Sequence, residues 1–356
     1  MSKEITKIVI VSKEKFGNTD FREITRIAKR KGIDVEHLCL GSKVSADKNL
    51  KIIDFSNDIF LSLSSYFFSL VVLMYILKNI DKNNTFFHIR YHKFCFLFSI
   101  LQYFGFNIAC DVRSGVVASR FRWFSNLLMS IELRTFGKRS VISKGVAEKI
   151  LGIKKYYLLP LGSSLKCINP KKLNYQQPTR LIYIGTLNER KLEDFVNAII
   201  ETNKMRGNIY SLSIFGYGNE VTLAKINEMI FLEENIEYRG FLDYNDIEVV
   251  LSNYDIGIAY IPMIDAFMYQ PPTKIFEYLS AGLPVIATKT FENNSLIKDG
   301  LNGWLVDDNV ESLINLLKNN LDFINPADCI KSVNGTSWEE IFNLYYINIM
   351  RAGNFK

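Results

Sequence analysis

The sequence alternates short strand-like runs with longer helix-like stretches, and it completes this alternation twice. The strand-like runs are rich in β-branched and apolar residues, whereas the stretches between them space their apolar residues with helical period. Strands separated by helices indicate parallel sheets with right-handed crossover connections. A polar stretch, 163–179, interrupts the pattern before it begins again. We therefore predict an α/β protein with two Rossmann-like domains that face each other across a cleft.

The same alternation predicts the domain boundaries. A chain of 356 residues is long for a single hydrophobic core. Residues 1–163 form the predicted N-terminal domain, residues 164–336 form the C-terminal domain, and a helix-like segment follows at 337–356. The predicted strands lie at 7–11, 34–39, 85–89, 107–112, 140–142 and 156–159 in the first domain, and at 180–184, 211–215, 236–239, 255–259, 285–288 and 304–306 in the second.

Composition argues against several classes of protein. The 43 Lys and Arg against 37 Asp and Glu give a net charge of +6, and no basic run interleaved with aromatic residues indicates a reader of nucleic-acid bases. This balance suits an anionic small ligand or an anionic membrane surface. The five cysteines are dispersed and never form a Cys-x-x-Cys, which favours a reducing compartment and argues against a disulfide framework or a zinc site. We expect a cytoplasmic protein that binds no nucleic acid and no metal ion.

The segment 59–77 holds nineteen residues without a charge. Its length permits a transmembrane helix, which needs about 20 apolar residues. Because the segments on both sides belong to one alternating pattern, we favour a buried or membrane-facing helix. Together with 93–106 and 120–139, which mix apolar residues with Arg and Lys, it is typical of an interfacial surface. A core-facing helix explains each of the three equally well.

The stretch 269-YQPPTKIFEYLSAGLPVIATK-289 predicts a short helix with a defined start and end. Proline fits the first positions of a helix, so Pro272 marks an entry near Thr273, and Gly282 fits a left-handed helix end. A helix start concentrates free N–H groups and positive potential, which makes it an anion site. Lys274 lies in the first turn, and Glu277 lies one turn further in.

Three other loops follow predicted strands at the same sheet edge, where ligands of open α/β sheets bind. Gly185 ends the first strand, and Arg190 and Lys191 open the next helix, where an anion would offset their charge. Further glycines that permit close backbone approach are Gly216, Gly218 and Gly240. Simple turns and a solvated pair of cations are the alternatives. Phosphates bind at helix starts, at glycines and at basic side chains. A carboxylate such as Glu277 can accept two hydrogen bonds from a ribose diol. A nucleoside diphosphate therefore fits the second domain.

The stretch QPPTKIFEYLSAGLPVIAT resembles the signature of retaining glycosyltransferases of family four (glycosyl transferases group 1). IGTLNERKLEDFVNAI is similar to the donor loop of that family, and IFGYGNE and KDGLNGWLV match after it in order. In the first half, VISKGVAEKILG resembles the segment that leads into the linker. The resemblance implies the two-domain GT-B architecture and a helix from residue 337 that returns to the first domain. It also implies transfer of a sugar with retained configuration and without a bound metal. The expected co-substrate is a nucleotide sugar, a UDP-sugar in the first instance, and no other cofactor is expected.

The resemblance also implies roles for individual residues. Glu277 matches the glutamate that holds the ribose, and Lys191 matches the lysine that binds the diphosphate. Arg190 would share this catalytic work, because the arginine that usually follows the glycine is replaced by Thr186. The paired glutamate that helps to hold the donor sugar is replaced by Tyr269. Asp265, in the same loop, is a candidate substitute.

In the first domain the resemblance places catalytic or acceptor contacts at the end of a strand. Asp111 is the predicted catalytic residue there, and Arg113 and His88 are predicted acceptor-side residues. Gly17 would let the backbone approach the donor, although an ordinary turn explains it equally well. The expected acceptor is a glycan, preferably linked to polyprenyl diphosphate at the inner face of the plasma membrane, where the protein would be peripheral.

Two alternatives remain from the sequence. A nucleotide-sugar epimerase of the same architecture would need a histidine in the cleft, and His88 is its candidate. A non-catalytic sugar-nucleotide-binding partner of a membrane assembly would be consistent with the change at Tyr269. Hydrolysis or transfer of the donor separates an enzyme from a mere binder.

Overall fold

The computed structural model describes residues 4–14, 18–40, 51–54, 65–116, 121–167, 177–319 and 321–355. The chain forms two compact units. Unit 1 comprises Met1–Leu161 and Trp338–Lys356, and unit 2 comprises Gly162–Ser337. These divisions lie within two residues of the boundaries expected from the sequence.

Unit 1 contains a seven-stranded parallel sheet with the order β3-β2-β1-β4-β5-β6-β7. Its central strands are buried along their whole length, as expected for parallel strands covered on both faces. The strands are β1 (Lys7–Ser12), β2 (Asp34–Cys39), β3 (Lys51–Asp54), β4 (Thr85–Arg90), β5 (Asn107–Val112), β6 (Arg139–Val141) and β7 (Tyr157–Leu158).

The helices of unit 1 bury one apolar side each. In α1 the side chains of Phe21, Ile24 and Ile27 repeat at three-residue spacing and pack inward. The helices are α1 (Thr19–Arg30), α2 (Ser65–Asn79), a 3-10 helix (Cys95–Gln102), α3 (Arg122–Arg134), a π-helical turn (Val146–Ile150), and, after unit 2, α12 (Trp338–Ile341), a π-helical turn (Phe342–Tyr346) and α13 (Ile347–Arg351).

Unit 2 contains a six-stranded parallel sheet with the order β10-β9-β8-β11-β12-β13. The chain order reverses between β8 and β11, which is the switch point where open α/β sheets bind ligands. The strands are β8 (Thr179–Thr186), β9 (Tyr210–Tyr217), β10 (Ile236–Gly240), β11 (Ile256–Ala259), β12 (Val285–Thr288) and β13 (Gly303–Val306). The helices are α4 (Leu192–Arg206), α5 (Glu220–Ile230), a 3-10 turn (Tyr244–Asp246), α6 (Ile247–Leu251), α7 (Asp265–Met268), α8 (Thr273–Ser280), α9 (Phe291–Leu296), α10 (Val310–Leu317) and α11 (Pro326–Ser332).

The predicted α/β class with two Rossmann-like units is confirmed, with one local difference. The edge strand β3 was not predicted, because four residues carry too little pattern. Of the uncharged segment 59–77, residues 65–77 lie in α2, which buries one side, and 59–64 lie outside the described residues. Along the described ranges, no helix combines the length and apolar character needed to cross a membrane.

Candidate functional site

The candidate site of unit 2 lies at the switch point of its sheet. Pro272 is the N-cap of α8 with extended backbone, and the helix begins at Thr273, as predicted. Because α8 follows β11, its first turn lies at the carboxyl edge of the sheet, beside the end of β8. Phe276, Tyr278 and Leu279 are buried and hold the helix in place. The Tyr278 hydroxyl accepts a hydrogen bond from the Ile184 amide at 2.9 Å, which fixes α8 against β8.

Lys274 brings a buried cation to this edge. Its Nζ lies 3.7 Å from the centroid of the Tyr183 ring and has no hydrogen-bond partner among the described residues. Gly185 has a φ of +143°, and a Cβ there would lie 3.4 Å from Lys274 Nζ. The ammonium group therefore sits against the glycine turn at the end of β8, held by a cation–π contact. The start of α8 therefore carries a side-chain cation beside the free amides of its first turn.

Glu277 is only 8% exposed and lies one helical turn beyond Lys274. Burial raises the pKa of Glu277 to about 7, and the positive charge of Lys274 opposes this rise. Burial likewise lowers the pKa of Lys274 to about 7; Arg190 contributes to the decrease, and Glu277 opposes it. Each side chain is thus near the midpoint of its titration at neutral pH, where a bound ligand can set its charge.

Arg190 and Lys191 lie in the loop before α4, as predicted, but they point to different partners. The Arg190 guanidinium stacks 4.2 Å from the centroid of the Phe267 ring, and burial lowers its pKa. Lys191 is the N-cap of α4 in the left-handed conformation, and its Nζ lies 3.2 Å from the Asp308 carboxylate. Asp308 also accepts a hydrogen bond from the Met263 amide at 2.9 Å. The carboxylate of Asp308 therefore balances the charge of Lys191.

Of the predicted glycines, Gly216 is required by close packing, and Gly218 lies at a tight but less restrictive position. A Cβ on Gly216, whose φ is +145°, would lie 1.7 Å from the Gly185 carbonyl oxygen, so any side chain there would separate β8 from β9. Gly218 lies in the next loop, where a Cβ would be 3.3 Å from the Asn188 side chain. Gly240 differs, because a Cβ there would meet open space; its φ of +74° explains the glycine without a ligand.

The loop that departs from the family signature is held by its own contacts. Tyr269 ends α7, and its ring packs 5.3 Å from the ring of Phe291. Asp265 is exposed in the first turn of α7.

The residues predicted as the site of unit 1 lie together in a buried ionic cluster. Asp111 is fully buried, and its Oδ2 lies 3.1 Å from Arg113 Nε, while its Oδ1 accepts a hydrogen bond from the Ser140 hydroxyl at 2.6 Å. Burial alone would raise the pKa of Asp111, but Arg113, followed by His88 and Arg90, lowers it well below its usual range. This arrangement gives Asp111 a structural role as an ion-paired interior carboxylate, and its catalytic role stays a prediction.

Arg113 and His88 belong to the same buried cluster. Arg113 Nε also lies 3.0 Å from Asp20 Oδ2, and one of its Nη atoms donates a hydrogen bond to the Leu159 carbonyl. His88 Nδ1 lies 2.9 Å from the Tyr346 hydroxyl, so the returning C-terminal segment closes over it. His88 is therefore buried and Arg113 is nearly so, while their acceptor-side roles and the place of His88 in the epimerase alternative stay predictions. The predicted residue Gly17 lies outside the described residues.

Sequence reasoning missed three residues that shape the unit 2 site. Tyr183 and Phe267 provide the aromatic faces for Lys274 and Arg190, and Asp308 pairs with Lys191. Nothing in their local sequence distinguishes them from core aromatics or a surface aspartate. One available signal was the repeated occurrence of basic residues at one sheet edge, because buried cations need aromatic or acidic neighbours.

Comparison with known proteins gives partial matches. Residues 178–322 match the family described as Glycosyl transferases group 1. An amylovoran biosynthesis glycosyltransferase of Erwinia amylovora is 27% identical over 146 residues, which cover 39% of this chain and 36% of that protein. A protein named for colanic acid biosynthesis, from Salmonella typhimurium, is 28% identical over 136 residues, covering 37% of this chain and 33% of that protein. The chain thus spans about a third of the length of these relatives.

Solved glycosyltransferase structures share the fold over nearly the whole chain. A lipopolysaccharide outer core galactosyltransferase superposes with a TM-score of 0.66 at 17% identity, covering 97% of this chain and 99% of that one. An Anabaena protein solved with UDP and glucose gives a TM-score of 0.65 at 12% identity, covering 97% of both chains. These likenesses establish a GT-B type of fold.

Proposed function

We propose that the protein is a glycosyltransferase that moves a sugar from a nucleoside-diphosphate donor to a glycan acceptor. One observation carries this proposal: the buried, unpartnered ammonium of Lys274 lies against Gly185, one helical turn from the buried Glu277. A cation, a glycine turn and a helix start are what a diphosphate requires, and the carboxylate behind them can hold a ribose diol. The family match over residues 178–322 supports the same reading.

The proposed chemistry needs stabilisation of the departing diphosphate. Arg190, Lys191 and Lys274, with the first amides of α8, would oppose the negative charge that grows on it. We further propose that configuration is retained, because the leaving phosphate can deprotonate the acceptor on the same face of the sugar. On this mechanism the protein needs no nucleophile of its own and no metal ion.

The donor that we propose is a UDP-sugar. The Anabaena neighbour was solved with UDP and glucose, which supports this base. A thermal-shift screen against UDP-, GDP-, ADP- and TDP-sugars tests the choice, since a ligand that binds only the folded protein raises its melting temperature. Absence of a shift with every nucleotide sugar would contradict the donor assignment.

We propose a glycan linked to polyprenyl diphosphate as acceptor, in the synthesis of a surface polysaccharide. Two relatives are named for amylovoran and colanic acid biosynthesis, which supports this pathway class. The protein would then work as a peripheral protein at the inner face of the plasma membrane. A second candidate is a non-catalytic sugar-nucleotide binder, favoured by the tyrosine at position 269. It would show neither donor hydrolysis nor transfer in a radiolabelled-sugar assay.

Replacing Lys191 with alanine is expected to lower turnover by a factor on the order of 100, because one group that neutralises the leaving diphosphate is lost. Steady-state kinetics with the preferred donor measures the effect. Lys225→Ala is a matched control, since Lys225 is also an exposed lysine paired with a carboxylate, Glu193, at 3.0 Å. A near-normal rate in Lys191→Ala would show that Arg190 and Lys274 suffice.

Donor binding is expected to take up protons above pH 7 and to release protons below pH 7. Bound diphosphate favours charged Lys274, and ribose hydroxyls favour ionised Glu277. With both pKa values at about 7, binding takes up roughly 0.8 proton at pH 8, where Lys274 is mostly neutral, and releases a similar amount at pH 6, where Glu277 is mostly protonated. Calorimetry in buffers of different ionisation enthalpy measures the exchange.

Two variants test which side chain gains or loses each proton. Lys274→Met is expected to abolish the uptake at pH 8, while Glu277→Gln is expected to abolish the release at pH 6. An exchange of the same sign at both values of pH would contradict the assignment.

A further inference from the structure

Helix α3 of unit 1 leaves a stripe of large apolar side chains in solvent. Trp123 is 71% exposed, and Phe124, Leu127, Leu128 and Ile131 are also exposed. Spacings of three and four residues place these side chains along one side of the helix. The opposite side, with Met129 and Leu133, is buried in the unit. An exposed stripe of this kind is costly in water unless another surface covers it.

Two neighbouring elements extend this stripe. Helix α2 exposes Phe67 and Met74, and the 3-10 helix Cys95–Gln102 exposes Phe96 and Ile100. We call the exposed sides of α2, this 3-10 helix and α3 the apolar face.

Direct contacts join the three elements. The ring of Tyr66 in α2 packs 5.7 Å from the ring of Phe94, which directly precedes the 3-10 helix. The Phe94 amide in turn donates a hydrogen bond of 3.1 Å to the Glu132 carboxylate of α3. The apolar face is therefore one continuous surface rather than three separate patches.

The charge of the chain is unevenly divided between its units. Unit 1 carries 28 Lys and Arg against 15 Asp and Glu, a net charge of +13. Unit 2 carries 15 against 22, a net charge of −7. The modest total of +6 thus conceals a strongly basic unit, and it is the unit that bears the apolar face.

Basic side chains also lie on the apolar face itself. Lys78 lies in the last turn of α2, and Lys93 precedes the 3-10 helix. Arg122 and Arg134 lie at the two ends of α3. All four side chains are exposed. Within the three elements, Glu132 is the one acidic residue, and burial raises its pKa. Tryptophan and other large apolar residues bordered by Arg and Lys suit the boundary between lipid headgroups and acyl chains.

We propose that the apolar face docks on the surface of an anionic lipid bilayer. The aromatic and aliphatic side chains would enter the headgroup region, while Lys78, Arg122 and Arg134 contact anionic headgroups. A second copy of the chain fits less well, because a symmetric contact would place these cations opposite one another. This inference deepens the proposed function by naming the surface that would bring the protein to a membrane-bound acceptor.

Vesicle flotation with the purified full chain, without nucleotide or acceptor, tests the proposal. The protein is expected to float with vesicles of phosphatidylcholine containing about 30% phosphatidylglycerol, and not with phosphatidylcholine alone. Raising the salt from about 0.1 M to about 0.5 M should release it, since the headgroup contacts are screened. Equal binding to both kinds of vesicle, or to neither, overturns the proposal.

Three double variants locate the contact. Trp123→Ser with Leu127→Ser is expected to weaken binding at least tenfold, because both side chains would leave the lipid. Arg122→Gln with Arg134→Gln is expected to weaken it about 25-fold, about fivefold for each charge. Phe231→Ser with Leu232→Ser, at positions of unit 2 that are 82% and 84% exposed, is the matched control and should bind normally. Thermal unfolding verifies that each variant is folded.

The remaining outcomes are distinguishable. If the control weakens binding as much as the Trp123 and Leu127 variant, the apolar face is not the docking surface. If sedimentation shows a dimer that this variant dissociates, and vesicles are not bound, a second copy covers the face and the proposal is wrong. Transfer to a water-soluble acceptor is measured separately, so failure of the proposed reaction leaves the vesicle result intact.

Discussion

Glu277→Gln is expected to weaken binding of the nucleotide sugar by several hundred-fold, while the protein remains folded. A buried carboxylate that accepts two hydrogen bonds from a ribose diol contributes about 1.5–3 kcal/mol for each bond. Glutamine can replace at most one of them, with a neutral hydrogen bond worth about 0.5–1.5 kcal/mol. A loss of about 3.5 kcal/mol corresponds to roughly several hundred-fold in the dissociation constant. Isothermal titration calorimetry with the donor identified by thermal shift measures this loss.

The substitution is isosteric, so the packing of α8 should change little. Asp265→Asn is the control: this carboxylate lies in the adjacent loop, but it is exposed in α7. A normal affinity in Glu277→Gln would remove the central assignment of the donor site. A large loss in Asp265→Asn alone would move the sugar contact to the loop that departs from the family signature.

The fold was predictable because its elements carry strong local patterns. Strand β1 (Lys7–Ser12) is a continuous apolar run, and α8 has a proline at its start and Gly282 just after its end. The edge strand β3 has only four residues and charges at both ends, so no period could identify it. Local patterning thus predicts long central elements and fails for short peripheral ones.

The sequence predicted only those parts of the site whose position is set by the backbone conformation. The glycine at position 185 and the helix start at Thr273 follow from turn and capping rules. The side chain of Lys274 could not be placed from sequence, because its partner Tyr183 comes from another strand. The role of Asp111 could not be decided from sequence for the same reason: a carboxylate at the end of a strand is equally compatible with a reaction or with an ion pair. The choice depends on whether Arg113 and Arg90 reach it in the folded unit.

Asp111→Ala is expected to destabilise unit 1 by about 3–5 kcal/mol, because the buried cations Arg113 and Arg90 would lose a partner without gaining water. The Ser140 hydroxyl, which donates to Asp111 Oδ1, would also lose its acceptor. Scanning calorimetry measures the loss of stability, and hydrogen exchange shows whether it is confined to residues of unit 1. If Asp111 were catalytic instead, activity would fall while the melting temperature stayed the same.

Asp255→Ala tests whether burial of the partner cation causes the loss of stability. Asp255 is also a buried carboxylate, and its Oδ2 lies 3.1 Å from Arg180 Nε, but that arginine is partly exposed. Because water can solvate Arg180 after the substitution, we expect this variant to lose only about 1–2 kcal/mol. Acid should act on Asp111 in the same direction as its substitution: the pKa of Asp111 is lowered in the folded state, so its stabilising contribution is fully present above the ordinary carboxyl pKa and is lost as the pH falls from there through the lowered pKa. Equal losses in the two variants would show that burial of the partner cation does not determine the cost, and the structural role that we assign to Asp111 would no longer follow.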